Sequence, residues 1–369
     1  MIIEGETAYY SKYMILTDYS NIKKLYNYTT MQEISIDFTL GEQPYNPVED
    51  REGKIYYIRD DILHRNDEQL SQIDTSSLIK NPLYYDSKTD SLWLASFESN
   101  LAGNFVKFSV FENPSAATSN TNPSTILYDD SYYLNNSFSC QAFAVKEDNI
   151  YIAYNNSNIL LTKKNNSSNT EATITLSNIT PALSGTITDM AVLEDGTVAV
   201  LVNDKNLNPA NQFTLTDGCT VYSRGALVLL SADLSKVEKV LGWSGERTIS
   251  ATGSSSDYDV QWDKITAYIP EYAERNSHFY GPMRIVAIRP KELVIADCGA
   301  NFVLPDYIGK KNGKMFTHNR LMTVNLRNFA IGCKKEFSES ELKFQYLTIS
   351  GNLESVTAGW TNLSAENEK

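Results

Sequence analysis

The chain has 369 residues, 42% of them apolar, enough to bury a sizeable core, and closed all-β folds carry such length as one unit. Its formal net charge is −13, and its basic residues cluster no further than pairs such as Lys163-Lys164, Lys310-Lys311 and Lys334-Lys335. That excludes the concentrated basic face that nucleic-acid phosphates need and disfavours anionic membranes, and no apolar run approaches the ~18 residues of a membrane span.

The N-terminus, MIIEGETAYY, has neither a basic n-region nor an apolar h-region, so it does not read as a secretory signal. It suits a mature domain with its leader removed, and hence an extracytoplasmic or cell-surface location; a cytoplasmic chain is the alternative. From there a short β-rich run recurs six times: KYMILTD (12–18), KIYYIRD (54–60), SLWLASF (91–97), NIYIAYN (149–155), TVAVLVN (197–203) and ELVIADC (292–298). Several follow turn signals, among them Arg51-Glu52-Gly53, Lys88-Thr89-Asp90 and Glu194-Asp195-Gly196. A shorter apolar strand precedes most of them, as in QAFAV (141–145), ITDMAV (187–192) and PMRIVAI (282–288). A third strand follows, as in NIKKLYNY (21–28), NFVKFSVF (104–111), NILLTKK (158–164), GALVLLSAD (225–233) and RLMTVNL (320–326), and a fourth is visible in SKVEKVLGW (235–243).

A four-stranded antiparallel meander repeated about six times predicts a closed, all-β propeller. The expected count is six four-stranded blades in a single domain, 1–369. The segment 341–360 closes the ring, or makes a seventh blade with the N-terminus. The widest gap between repeats holds an insertion at about 244–281, Ser-rich and then aromatic, with room for one turn of helix near DKITAY. The segments 190–204, 143–156 and 286–301 carry an apolar strand, a turn, an IYIA-like strand and a polar Asp or Asn, and in this the chain resembles NHL-type repeats and other six-bladed propellers. The resemblance implies a binding scaffold, with lactonases, lyases or hydrolases as the minority.

Asp18, Asp60, Asn155, Asn203 and Asp297 close the repeated strand, where such side chains bond the backbone of the following turn. Asp297 is therefore expected to be structural, and Cys298 beside it a small buried residue. The four cysteines, Cys140, Cys219, Cys298 and Cys333, form no CxxC. Four cysteines allow three disulfide connectivities, among which sequence does not choose; Cys298 and Cys333 share one local unit and are a candidate pair, and four scattered thiols are equally open. The histidines, His64, His278 and His318, show no metal-ligand spacing, and Ser244 in GWSGE lacks the GxSxG pattern. No GxGxxG or Walker sequence occurs.

The insertion is the strongest site candidate, because long loops in compact folds are often functional and it concentrates hot-spot residue types: Trp262, Tyr268, Tyr272, Arg275, His278 and Tyr280. The expected function is non-enzymatic recognition of a protein, peptide or glycan by a monomer. No cofactor is expected beyond a structural calcium. The alternative is a metal-dependent hydrolase or lactonase at the central channel, with Asp257, Asp259, Asp263 and Asp189 as candidate ligands.

Overall fold

The structure is a computed structural model. It describes residues 13–17, 23–27, 32–34, 47–100, 103–129, 139–147, 149–155, 159–165, 170–204, 224–243, 247–252, 261–267, 277–279, 281–303 and 314–336.

All sheets are antiparallel meanders in which consecutive strands pair. The first is three-stranded: Tyr13–Thr17 (β1), Lys23–Asn27 (β2) and Glu33–Ile34 (β3). Blade I holds Val48–Glu49 (β4), Ile55–Arg59 (β5), Ile62–Arg65 (β6) and Glu68–Gln72 (β7). Blade II holds Leu78–Asp86 (β8), Ser91–Asn100 (β9), Gly103–Glu112 (β10) and Ser124–Asp129 (β11). Blade III holds Ser139–Lys146 (β12), Asn149–Asn155 (β13), Ile159–Asn165 (β14) and Thr170–Thr175 (β15). Blade IV holds Thr186–Val192 (β16), Val198–Asp204 (β17), Arg224–Leu230 (β18) and Val237–Leu241 (β19). A hairpin of Arg247–Thr252 (β20) and Gln261–Ala267 (β21) precedes blade V, which holds Pro282–Arg289 (β22), Glu292–Val303 (β23), Lys314–Asn325 (β24) and Ile331–Glu336 (β25).

Adjacent blades pack face to face, and the alternation of strand side chains explains the sequence pattern. On β17, Val198, Val200 and Val202 point into a core shared with blade III, where Tyr151 and Leu176 lie. Ala199 and Leu201 point the other way, against Leu293, Ile295 and Met322 of blade V. Both faces of the strand are covered, so every residue of β17 is buried, and a two-sided strand reads as an unbroken apolar run rather than an alternating one. The same holds between blades I and II, where Tyr56 and Leu63 meet Leu92 and Phe111. Between blades II and III, Trp93 and Phe108 meet Phe143 and Ile152. The outer strand β19, by contrast, exposes Glu238 and Lys239.

The first strands of the blades neighbour one another in order: β4 beside β8, β8 beside β12, β12 beside β16, and β16 beside β22. β1 lies against β22. Blades stacked face to face around a line of first strands are a β-propeller arrangement.

The structure corrects several expectations. Among the described residues five sheets have four strands, one has three and one has two, so neither six nor seven complete blades are present. The proposed closing segment, 341–360, lies outside the described residues. YMILT is an edge strand of its sheet and not the second strand, because among the described residues no strand pairs on its outer side. The DKITAY segment contributes to β21 and not to a helix; its β-branched Ile and Thr favour the extended form. Cys140 is buried on β12 and Cys333 half-buried on β25.

Candidate functional site

Strand register sorts the connections onto two faces. In blade III, Lys146 pairs with Asn149 while Ser139 pairs with Asn155. The turn after the first strand and the connection after the second therefore lie at opposite ends, and the same holds in blades IV and V.

The turn face carries connections that cap their own backbone, including the longer 113–123 loop with its 3-10 turn. Asp50 Oδ1 accepts from the backbone N–H groups of Glu52 (2.8 Å) and Lys54 (2.9 Å). Asp86 Oδ1 does the same for Lys88 at 3.0 Å, and Asp195 Oδ1 for Thr197 at 2.9 Å. Basic side chains then link each turn to the next blade. Arg51 of blade I donates to Tyr85 Oη (3.3 Å) and to the Ser87 carbonyl oxygen of blade II. Lys88 of blade II pairs with Glu147 of blade III, and Lys146 of blade III donates to the Leu193 carbonyl oxygen of blade IV at 2.7 Å. Arg51 is held more firmly protonated by Tyr85, against the opposing pull of desolvation.

At the opposite end, the loop face, the three longest connections of blades IV and V leave and return: 205–223, 244–281 and 304–313. The insertion rejoins the blades through Ser277–Phe279. Phe279 N donates to the Gly242 carbonyl oxygen and Gly225 N to that of Phe279, both at 3.0 Å. The Phe279 ring is fully buried in the core between blades IV and V. Gly242 has φ of 75°, and a Cβ there would overlap that ring. Phe279 lay outside the predicted site residues; the signal that could have found it is the apolar ring flanked by polar residues where the insertion meets PMRIVAI.

Beneath this strap sits a fully buried ion pair, Asp297 with Arg320, side by side on β23 and β24. Asp297 Oδ1 accepts from Gly281 N at 2.7 Å, and Arg320 Nη2 donates to the His278 carbonyl oxygen at 3.0 Å. Asp297 is therefore structural, as expected, but for another reason. β23 runs on to Val303, so Asp297 lies inside the strand, and its carboxylate is spent on Arg320 and the strap rather than on a following turn. Asn155 and Asn203 likewise reach to the next blade. Asn155 accepts from Ile187 N at 3.4 Å, and Asn203 donates to the Met283 sulfur. Only Asp60, at φ of 52° in the tight turn between β5 and β6, acts as turn punctuation among the described members of that set.

The inner ends of the first strands are irregular at one level. Register shifts occur between Leu78 and Leu83, Cys140 and Ala142, Ile187 and Asp189, and Pro282 and Arg284. Bulges re-aim side chains, and here they accompany bonds between first strands of different blades. Asn81 of blade II donates to the Thr188 carbonyl oxygen of blade IV, and Val192 N to Tyr84 Oη at 3.5 Å. Arg284 of blade V donates to the Pro47 carbonyl oxygen beside blade I at 2.6 Å. Thr188 Oγ1 donates to the Pro282 carbonyl oxygen at 2.6 Å, and Ile285 N to Asp189 Oδ2 at 2.8 Å. Burial pushes the Asp189 carboxyl up to about 6, against the opposing pull of the Arg284 guanidinium and of two backbone N–H groups.

Of the sequence-predicted recognition residues, His278 stands half-buried on the strap, its Nδ1 3.1 Å from Ser277 Oγ. Trp262 lies on β21, as does Asp263. Tyr268, Tyr272, Arg275, Tyr280, Asp257 and Asp259 lie outside the described residues. Asp189 is on β16, at the axis. Among the described residues no three His, Cys, Asp or Glu side chains gather in one place.

No protein-family model matches the chain, and no curated protein matches it. Solved structures resemble it in outline. The computationally designed Ika8 protein aligns at TM-score 0.39 and 7% identity, over 92% of this chain and 91% of that one. The β-propeller domain of Cps50 (Swd1) from Myceliophteria thermophila aligns at 0.32 and 10%, over 67% and 89%. A Bacteroides caccae protein of unknown function aligns at 0.27 and 9%, over 88% and 93%. At such TM-scores these likenesses add nothing to what the sheet topology establishes.

Proposed function

We propose that this propeller is a non-enzymatic binding scaffold that takes a protein, peptide or glycan on its loop face. The observation that carries the reading is the asymmetry of the two faces. Internally capped turns and the 113–123 loop occupy one, whereas the longest connections of blades IV and V, the aromatic and Arg-bearing insertion among them, start and end on the other. Binding residues concentrate on loops held by a rigid scaffold. Trp262, Tyr268, Tyr272, Arg275, His278 and Tyr280 are the proposed contacts. Side-chain bonds link the first strands of non-adjacent blades II and IV, which favours the loop face over the inner strands as the place for a ligand. We further propose that the repeats are of the NHL kind and that β1–β3 pack beside β22 as a further, three-stranded unit of the propeller. The position of β1 against β22 supports this. A monomer outside the cytoplasm fits the acidic composition.

The test is a selection of the whole chain against a glycan array and a displayed peptide library. Hits should weaken about tenfold or more on replacing Tyr268 and Tyr272 with alanine, as truncated aromatic hot spots do, and should be indifferent to Lys88→Ala on the turn face. Hits equally indifferent to both changes would reject the proposed site.

A further inference from the structure

We infer that Phe279, Asp297 and Arg320 form an anchor that sets where the 244–281 insertion rejoins the ring, with Arg320 a positioning residue for the recognition face. The inference rests on the reading that the insertion carries the binding site. Four backbone groups of the strap are claimed by blades IV and V. Phe279 N and O bond Gly242 and Gly225, the His278 carbonyl oxygen accepts from Arg320, and Gly281 N donates to Asp297. Water alone would satisfy these groups in an ordinary surface connection. Here a charged pair with both side chains wholly out of solvent does part of that work. Such a pair is costly to desolvate, and its best-attested use is fixing register. The Phe279 ring supplies the apolar half of the anchor. It presses on Gly242, and a side chain at Gly225 would collide with Pro282, so both glycines are needed for the strap to lie flat against the ring. The consequence is that Ser277–Phe279 is held at one defined point of the blade IV–V seam, and such pre-organisation lowers the ordering cost of binding.

Hydrogen exchange resolved to single amides, on the full chain, tests this without any ligand. Two variants release the anchor differently: Phe279→Ala removes the ring, and Asp297→Leu with Arg320→Met replaces the pair by apolar groups. In both, the amides of residues 279 and 281 should exchange at least roughly tenfold faster, while those of β17 and β23 keep their protection, as expected for local rather than global opening. Arg320→Lys, which keeps the charge but not the fork, should fall between. Unchanged exchange at 279 and 281 would overturn the inference. So would an equal loss of protection in β17 and β23, since the contacts would then be ordinary blade packing. Failure here leaves the library selection untouched, and failure of that selection leaves this result standing.

Discussion

Replacing Asp189 by Asn should remove a specific piece of the protein's pH dependence. Asp189 sits half-buried beside the β16 register shift, its Oδ2 accepting from Ile285 N at 2.8 Å. Burial raises its carboxyl from 3.8 to about 6, with Arg284 and two backbone N–H groups opposing. Between those values the folded chain holds a proton that the unfolded chain has released. Stability from this group is therefore fully present below pH 3.8 and is lost as pH rises through about 6. At about 1.4 kcal/mol per decade of pH, the interval amounts to about 3 kcal/mol. Asn has no such titration, and its Oδ1 can still accept from Ile285. Urea unfolding of both proteins from about pH 4 to about pH 7 isolates the effect from other acids, since only the difference between the two curves matters. That difference should shift in favour of Asp189→Asn by about 3 kcal/mol across the range. A difference that stays constant would mean that Asp189 is hydrated and the axis is open to water.

Gly242→Ala forces a Cβ into the Phe279 ring at a positive φ and should cost about 1–3 kcal/mol or more, a loss that Phe279→Ala partly relieves in the double variant, measured by thermal unfolding. Arg320→Met leaves the Asp297 charge buried and should cost about 3–5 kcal/mol, whereas adding Asp297→Leu should return stability to near wild type; a small effect of the single change would show that water reaches the pair. Leu201→Ala, in the core between blades IV and V, should cost about 2–5 kcal/mol in urea unfolding. Lys88→Ala removes an exposed pair with Glu147 and should leave the urea-unfolding midpoint nearly unchanged.

The repeat was legible because β13, β17 and β23 are sandwiched between blades, so their residues are apolar on both faces and stand out as runs. Outer strands such as β7 and β15 were not, since half-exposed sequences such as EQLSQ and TEATIT carry little hydrophobic signal. β8 was hidden by its own irregularity. Asn81 and Pro82 interrupt the strand where Asn81 turns across the axis to Thr188, and Pro in a run argues against a strand. Asn155, Asn203 and Asp297 were located correctly at the repeat but given local partners, because short-range turn chemistry is the only reading a sequence offers. Their actual partners become visible only in three dimensions: Ile187 and Met283 when blades are side by side, and Arg320 when β24 is set in register beside β23. Phe279 was one aromatic among several in the insertion until the glycines at 225 and 242 showed where its ring fits.

The central claim is that recognition belongs to the loop face. The most direct measurement places a photo-crosslinking residue at position 278 in one protein and at position 88 in another. Each is then exposed to the tightest ligand from the glycan or peptide selection, and covalent capture is read by mass spectrometry. The account predicts capture from position 278 and none from position 88. Capture from position 88 alone would contradict it and move the binding surface to the turn face.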